Sequence, residues 1–181
     1  MRFKKIITLL FLSGFIFSCN LVNDSPDSIF KLIGLNANKV PSSFGLIFKE
    51  FRLQKAKGRL QVPAADNKSR RPATCVEAVN YFYSNTFTED IKKIKKLNKT
   101  EETKPIIEAG IELFEYAQEI HRNDFPKIAK MIDEGKSDEE IDLAAKQLDD
   151  TKGIELDKKH EKTMKLLLPY ADKHGIKYKK F

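Results

Sequence analysis

From Ala73 onward the apolar residues recur at a helical period, and this limits the fold more than any other feature. Val76, Val79, Phe82 with Tyr83, Phe87, Ile91, Ile94 and Leu97 mark one stripe. Ile107, Ile111, Phe114, Ala117 and His121 mark a second, and Ile128, Met131 and Ile132 a short third. The last holds Ile141, Ala144, Ala145 and Leu148, then Leu156, His160, Met164, Leu167 and Ala171. Apolar positions three and four apart share one helix face, and such faces must be buried against one another.

The spacing predicts helices over residues 74–98, 104–122, 125–134 and 138–174. Thr74 and Thr103 stand where caps are needed, and Pro105 is tolerated in a first turn. Asn85-Thr86 is a weak point in the first helix. Ser137-Asp-Glu-Glu140 has the spacing of a capping box, in which serine and glutamate each take a free N–H. Gly135 closes the third helix, and Gly153 kinks or divides the fourth. His174-Gly175-Ile176 resembles a glycine-terminated helix end. Short links between amphipathic helices imply antiparallel neighbours. The expected fold is all-α, a three- or four-helix antiparallel bundle in residues 73–181.

Residues 19–72 read differently. Asn20 to Pro26 is polar and turn-prone, the composition of a spacer. Ser25 or Asp27 can open a short helix over residues 28–35. Residues 42–57 allow a helix begun by Ser42 or Ser43 and stopped near Gly58, although Phe51, Leu53 and Lys55 also alternate as in a strand. Residues 61–72 are linker by composition. The segment is expected to be a partly disordered tether with short helices.

This tether carries the positive charge. The chain has a formal net charge of +7, and residues 49–71 hold eight bases against two acids. Lys49, Arg52, Lys55, Lys57 and Arg59 alternate with Phe48, Phe51 and Leu53. Such a stretch suits anionic lipid head groups, at about 1 kcal/mol per base near the surface. The plainer reading packs Phe48 and Phe51 on the body and leaves the bases in water. Stacking aromatics and bases also suit nucleic acid, but nucleic acid is not expected for the exported protein inferred next.

Met1-Arg-Phe-Lys-Lys5 precedes an apolar run from Ile6 to Phe17, too short for the roughly 20 residues of a spanning helix. Length and flanks are those of a secretory signal over residues 1–18. The run ends Ile16-Phe17-Ser18-Cys19. This resembles the lipobox of bacterial lipoproteins, with Phe17 where a small residue is usual. The resemblance covers about the first 20 residues and implies a diacylglyceryl group on Cys19, cleavage before it and acylation of its amine. It thus implies an exported, membrane-anchored protein of a bacterial cell envelope. Two other readings stay open. The run is an uncleaved anchor, or Cys19 pairs with Cys75, the only other cysteine, in a disulfide.

The search for chemistry gives little. All three histidines, His121, His160 and His174, lie on or beside apolar stripes. Bundles carry metal and haem ligands on such faces. Asp157 and His160 share a face at i,i+3, and His121 is the candidate third ligand. Met164 or Met131 could complete a haem pair. Against this, the chain has no Glu-x-x-His and no Cys-x-x-Cys-His. The dipole at a helix C-terminus favours a cation and accounts for His121 and His174 without a ligand. No Gly-x-Ser-x-Gly and no glycine-rich phosphate loop occurs. Carboxylates are too widespread for a catalytic pair to stand out.

The expected function is a non-catalytic, lipid-anchored helical module that meets an envelope partner, with no cofactor beyond the covalent lipid. The alternatives are a ligand-, metal- or haem-binding bundle and an envelope enzyme with an unrecognised site.

Overall fold

The computed structural model describes residues 24–179. Among them the chain is all-α apart from one small hairpin. The helices are α1 (Pro26–Phe30), α2 (Phe44–Ala56), α3 (Cys75–Tyr83), α4 (Thr88–Ile94), α5 (Lys104–Asn123), α6 (Phe125–Asp133), α7 (Asp138–Leu148) and α8 (Ile154–Lys173). The hairpin joins β1 (Gln61–Pro63) to β2 (Arg70–Pro72), antiparallel, with Val62 opposite Arg71. None of these helices is long and apolar enough to cross a membrane.

Two helices of the body, α7 and α3, begin on reciprocal side-chain caps. Ser137 Oγ accepts the Glu140 N–H at 3.2 Å, and Glu140 Oε2 accepts the Ser137 N–H at 3.0 Å. A second capping box opens α3. Thr74 Oγ1 accepts from Glu77 N at 3.1 Å, and Glu77 Oε2 from Thr74 N at 2.9 Å. Thr103 does not cap α5. It is itself helical, and its hydroxyl donates to the Asn98 carbonyl at 3.1 Å. The expected helix over 74–98 is two helices, divided by a turn at Ser84–Phe87. Arg122 stitches that turn by donating to the Ser84 carbonyl at 2.7 Å. The last helix continues through Gly153 by a wide turn, a five-residue π-helix at Asp149–Gly153. At its end, Ile176 N–H reaches the Ala171 carbonyl at 2.9 Å and Gly175 N–H the Asp172 carbonyl at 3.2 Å. These are the paired bonds of a Schellman end.

The long pair α5 and α8 forms one side of the core, with α3 on α6 and α2 on α7 completing it. Residues 24–72 are not a separate strap around this bundle. Ile29, Ile33, Phe44, Phe48 and Phe51 are buried in the same apolar cluster as Leu113, Phe114 and Leu167. The segment after α1 continues as a π-helix, Lys31–Leu35. It seats closely on α5 because Gly110 has no side chain. A Cβ there would lie 3.1 Å from Ile33 Cγ2, tighter than ordinary packing.

The N-terminus of α2 is satisfied from far away. Ser43 precedes it but makes no side-chain cap. Instead, Phe44 N–H and Gly45 N–H donate to the Asp149 carboxylate at 2.9 and 3.3 Å. Asp133, at the end of α6, does the same for α3, accepting from Cys75 N and Val76 N at 2.9 and 3.0 Å. Lys55 of α2 closes that junction on Asp133 Oδ1 at 3.0 Å. Burial alone would raise the Asp133 carboxyl, but the two N–H groups and Lys55 outweigh it and hold it below its ordinary value.

Candidate functional site

A concavity of about 710 Å³ lies between α2, the hairpin and the end of α3. Helical spacing puts Leu46, Ile47 and Phe51 of α2 on the side that faces it. Helix α2 stops at Gly58, where Arg59 N–H bonds back to the Gln54 carbonyl at 2.9 Å. The chain then enters β1 and supplies Arg59, Leu60 and Gln61 to the groove. Asp66 builds the hairpin turn by accepting the N–H groups of Lys68 and Ser69 at 2.9 and 3.0 Å. The turn returns Arg70 opposite Pro63, and its Nη2 reaches along the strand to donate to the Gln61 carbonyl at 3.2 Å.

The last turn of α3 forms the opposite side. Tyr83 points toward the core, edge-on to Phe125 at 5.2 Å and to His121 at 5.1 Å between ring centroids. Phe82 points outward, 48% exposed, and packs edge-on against Tyr81 at 5.0 Å. Leu46 across the groove is 68% exposed. Phe51 and Leu60 are buried. The groove is therefore apolar inside and open to water.

The five bases expected to form one patch divide into two groups. Arg52 turns into the body, where it meets Asp142 Oδ1 at 2.6 Å and the Asp138 carbonyl at 2.8 Å. Lys55 is held by Asp133 and by the Ile132 carbonyl at 2.8 Å. Lys49, Lys57 and Arg59 stay exposed, and only Arg59 lines the groove. The sequence reading missed Leu46, Phe82 and Arg70. One signal was available for Phe82. The stripe Val79, Tyr83, Phe87 steps by four, so the ring at 82 is surplus to it.

Behind Tyr83 lies His121, completely buried in an aromatic box. Its ring centroid is 4.7 Å from Phe125 and 5.8 Å from Phe87. Neither ring nitrogen has a hydrogen-bond partner among the described residues. Burial pushes its pKa down to about 4, opposed only in part by the Tyr83 backbone, which approaches without reaching hydrogen-bond geometry. His121 is therefore neutral at pH 7. The helix-dipole account of a cation at this position is corrected, because desolvation outweighs the dipole. His174 fits its exposed helix end, with Nε2 3.3 Å from Glu102 Oε1.

The candidate metal ligands are not gathered. Asp157 is exposed, His160 half-buried and His121 buried. Among the described residues no group of three or more His, Cys, Asp or Glu is placed to hold a metal ion. Cys75 is buried under the N-terminus of α3, and burial together with the nearby Asp133 charge pushes its thiol up to about 12. Cys19, the expected lipidation site and alternative disulfide partner, lies outside the described residues. No family model, no curated protein and no solved structure matches this chain.

Proposed function

We propose that this chain is a lipid-anchored protein of a bacterial envelope, exported and tethered through Cys19, whose helical body acts by binding. The anchor rests on the lipobox-like Ile16-Phe17-Ser18-Cys19 at the end of a short apolar run. The binding role is carried by the open apolar groove between α2, the hairpin and α3. Its lining is chiefly aliphatic and aromatic, with Arg59 and Arg70 as its cationic groups. That set favours holding an apolar partner. A protein held at a membrane meets such partners at high local concentration.

Metabolic labelling with a radioactive fatty acid tests the anchor. The wild type should carry label and sediment with membranes. Cys19→Ser should lose the label and either leave the membrane fraction or accumulate as precursor. Unchanged labelling and retention in Cys19→Ser would refute the anchor. The mass of the mature N-terminus separates lipid, disulfide and uncleaved signal directly.

A further inference from the structure

The geometry points to a specific ligand class for the groove: a single-chain anionic amphiphile, an acyl chain ending in a carboxylate or phosphate. This inference rests on the binding role proposed above and not on the anchor. The volume of about 710 Å³ lies within the roughly 300–1,000 Å³ usual for small-molecule sites. The apolar surface comes chiefly from one face of α2, from Leu60 and from the end of α3, while the two arginines flank β1, Arg59 in the link before it and Arg70 on the paired strand β2. A ligand with one apolar and one charged end matches that division.

The arginines supply the charge complementarity. Among the described residues neither Arg59 nor Arg70 has an acidic partner, whereas Arg52, Lys55 and the neighbouring Arg71 are each ion-paired. A guanidinium offers paired donors that fit a carboxylate or phosphate. The acid in the lining, Glu50, is engaged by the Gln54 amide. An extended peptide would need backbone partners along the groove, but Glu50 and Gln54 of α2 bond to each other and the Thr86 hydroxyl, in the turn after α3, donates to the Phe82 and Tyr83 carbonyls. An acyl chain needs none.

The test uses the full-length chain carrying Cys19→Ser, so that no attached lipid competes. Cis-parinaric acid, a fluorescent long-chain carboxylate, is titrated below its micellar concentration. The expected result is saturable enhancement with one probe per chain, displaced by palmitate or by lysophosphatidate. Which of the two displaces better identifies the preferred head group. Arg59→Gln with Arg70→Gln should weaken the acid at least tenfold and leave the matching long-chain alcohol unchanged. Leu46→Glu should weaken both at least tenfold. These side chains are exposed, and unchanged thermal unfolding checks that the fold survives.

Absence of saturable binding would overturn the proposal, as would equal affinity in the wild type and these variants. Failure of both competitors to displace the probe would also overturn it. So would attachment to phosphatidylglycerol vesicles without binding of the monomeric probe, which would make the surface a bilayer contact. Failed acyl labelling of Cys19 removes the anchor and leaves this result standing. Lost probe binding with intact labelling does the reverse.

Discussion

Helices α2 and α7 pack against each other, yet they are built in opposite ways. Helix α7 carries its own start signal, the reciprocal bonds of Ser137 and Glu140. Helix α2 has no side-chain cap of its own and borrows Asp149, more than 100 residues along the chain. Its Arg52 and Lys55 likewise find partners on α6 and α7 or in the link between them. Local signals specify α7, and tertiary contacts specify α2. A segment whose polar needs are met at long range has the composition of a linker, even when it belongs to the core.

The strongest test of this contrast is Phe48→Ala. Phe48 is completely buried and meets Phe125 edge-on at 5.1 Å. Truncating a buried phenylalanine costs about 3–5 kcal/mol. Denaturant unfolding should show that loss, while Leu46→Ala on the exposed side of the same helix stays within about 0.5 kcal/mol of wild type. Equal, small effects at both positions would restore the tether reading of residues 19–72.

The next effect is a pH dependence where the two regions meet. Phe125 touches Phe44 and Phe48 of α2 on one side and His121 on the other. The folded pKa of His121, about 4, lies below the unfolded value of 6.5. Between those values the unfolded chain takes up a proton that the folded chain refuses. Stability is therefore full above pH 6.5 and falls as pH drops toward 4. At about 1.36 kcal/mol per pH unit the loss approaches roughly 3 kcal/mol. Asp133, held below its ordinary 3.8, keeps its contribution above that pH and surrenders it only at lower pH. His121→Leu should flatten the profile between pH 6.5 and 4. An unchanged slope in that variant would show that the imidazole finds a proton acceptor or water in the folded protein.

What was legible in the sequence follows the same division. The α5 stripe, the Ser137 capping box and the Gly175 helix end depend on residues within a few positions of one another, and all three are present. The Thr74 cap was legible too, although its partner Glu77 went unread. The break at Ser84–Phe87 was visible only as a weak point, because Arg122 holds that turn from another helix. The wide turn at Asp149–Gly153 shows in the sequence only as Gly153, which signals a kink or a division of the helix. Its neighbour Asp149 serves α2 rather than its own helix, which no local pattern reveals. The groove was the least legible part. Arg59 appeared in a run of bases, but spacing cannot separate it from Arg52, which the fold consumes.

The smallest effect probes the borrowed cap itself. Asp149→Ala removes the acceptor of two N–H groups at a half-buried helix start. Loss of a cap costs about 0.5–2 kcal/mol, and Asp149 should fall in the upper half of that range. Ser137→Ala, at an exposed site, should cost about 1 kcal/mol or less. Hydrogen exchange then locates each loss. Asp149→Ala should speed exchange in α2 while α5 and α8 keep their protection, because a helix held by tertiary contacts can open apart from its scaffold. Ser137→Ala should act on α7 alone. Uniform acceleration across all helices in Asp149→Ala would mean that α2 opens only with the whole protein. The borrowed cap would then secure the global fold, and the distinction between the two helices would concern their sequence signals and not their stability.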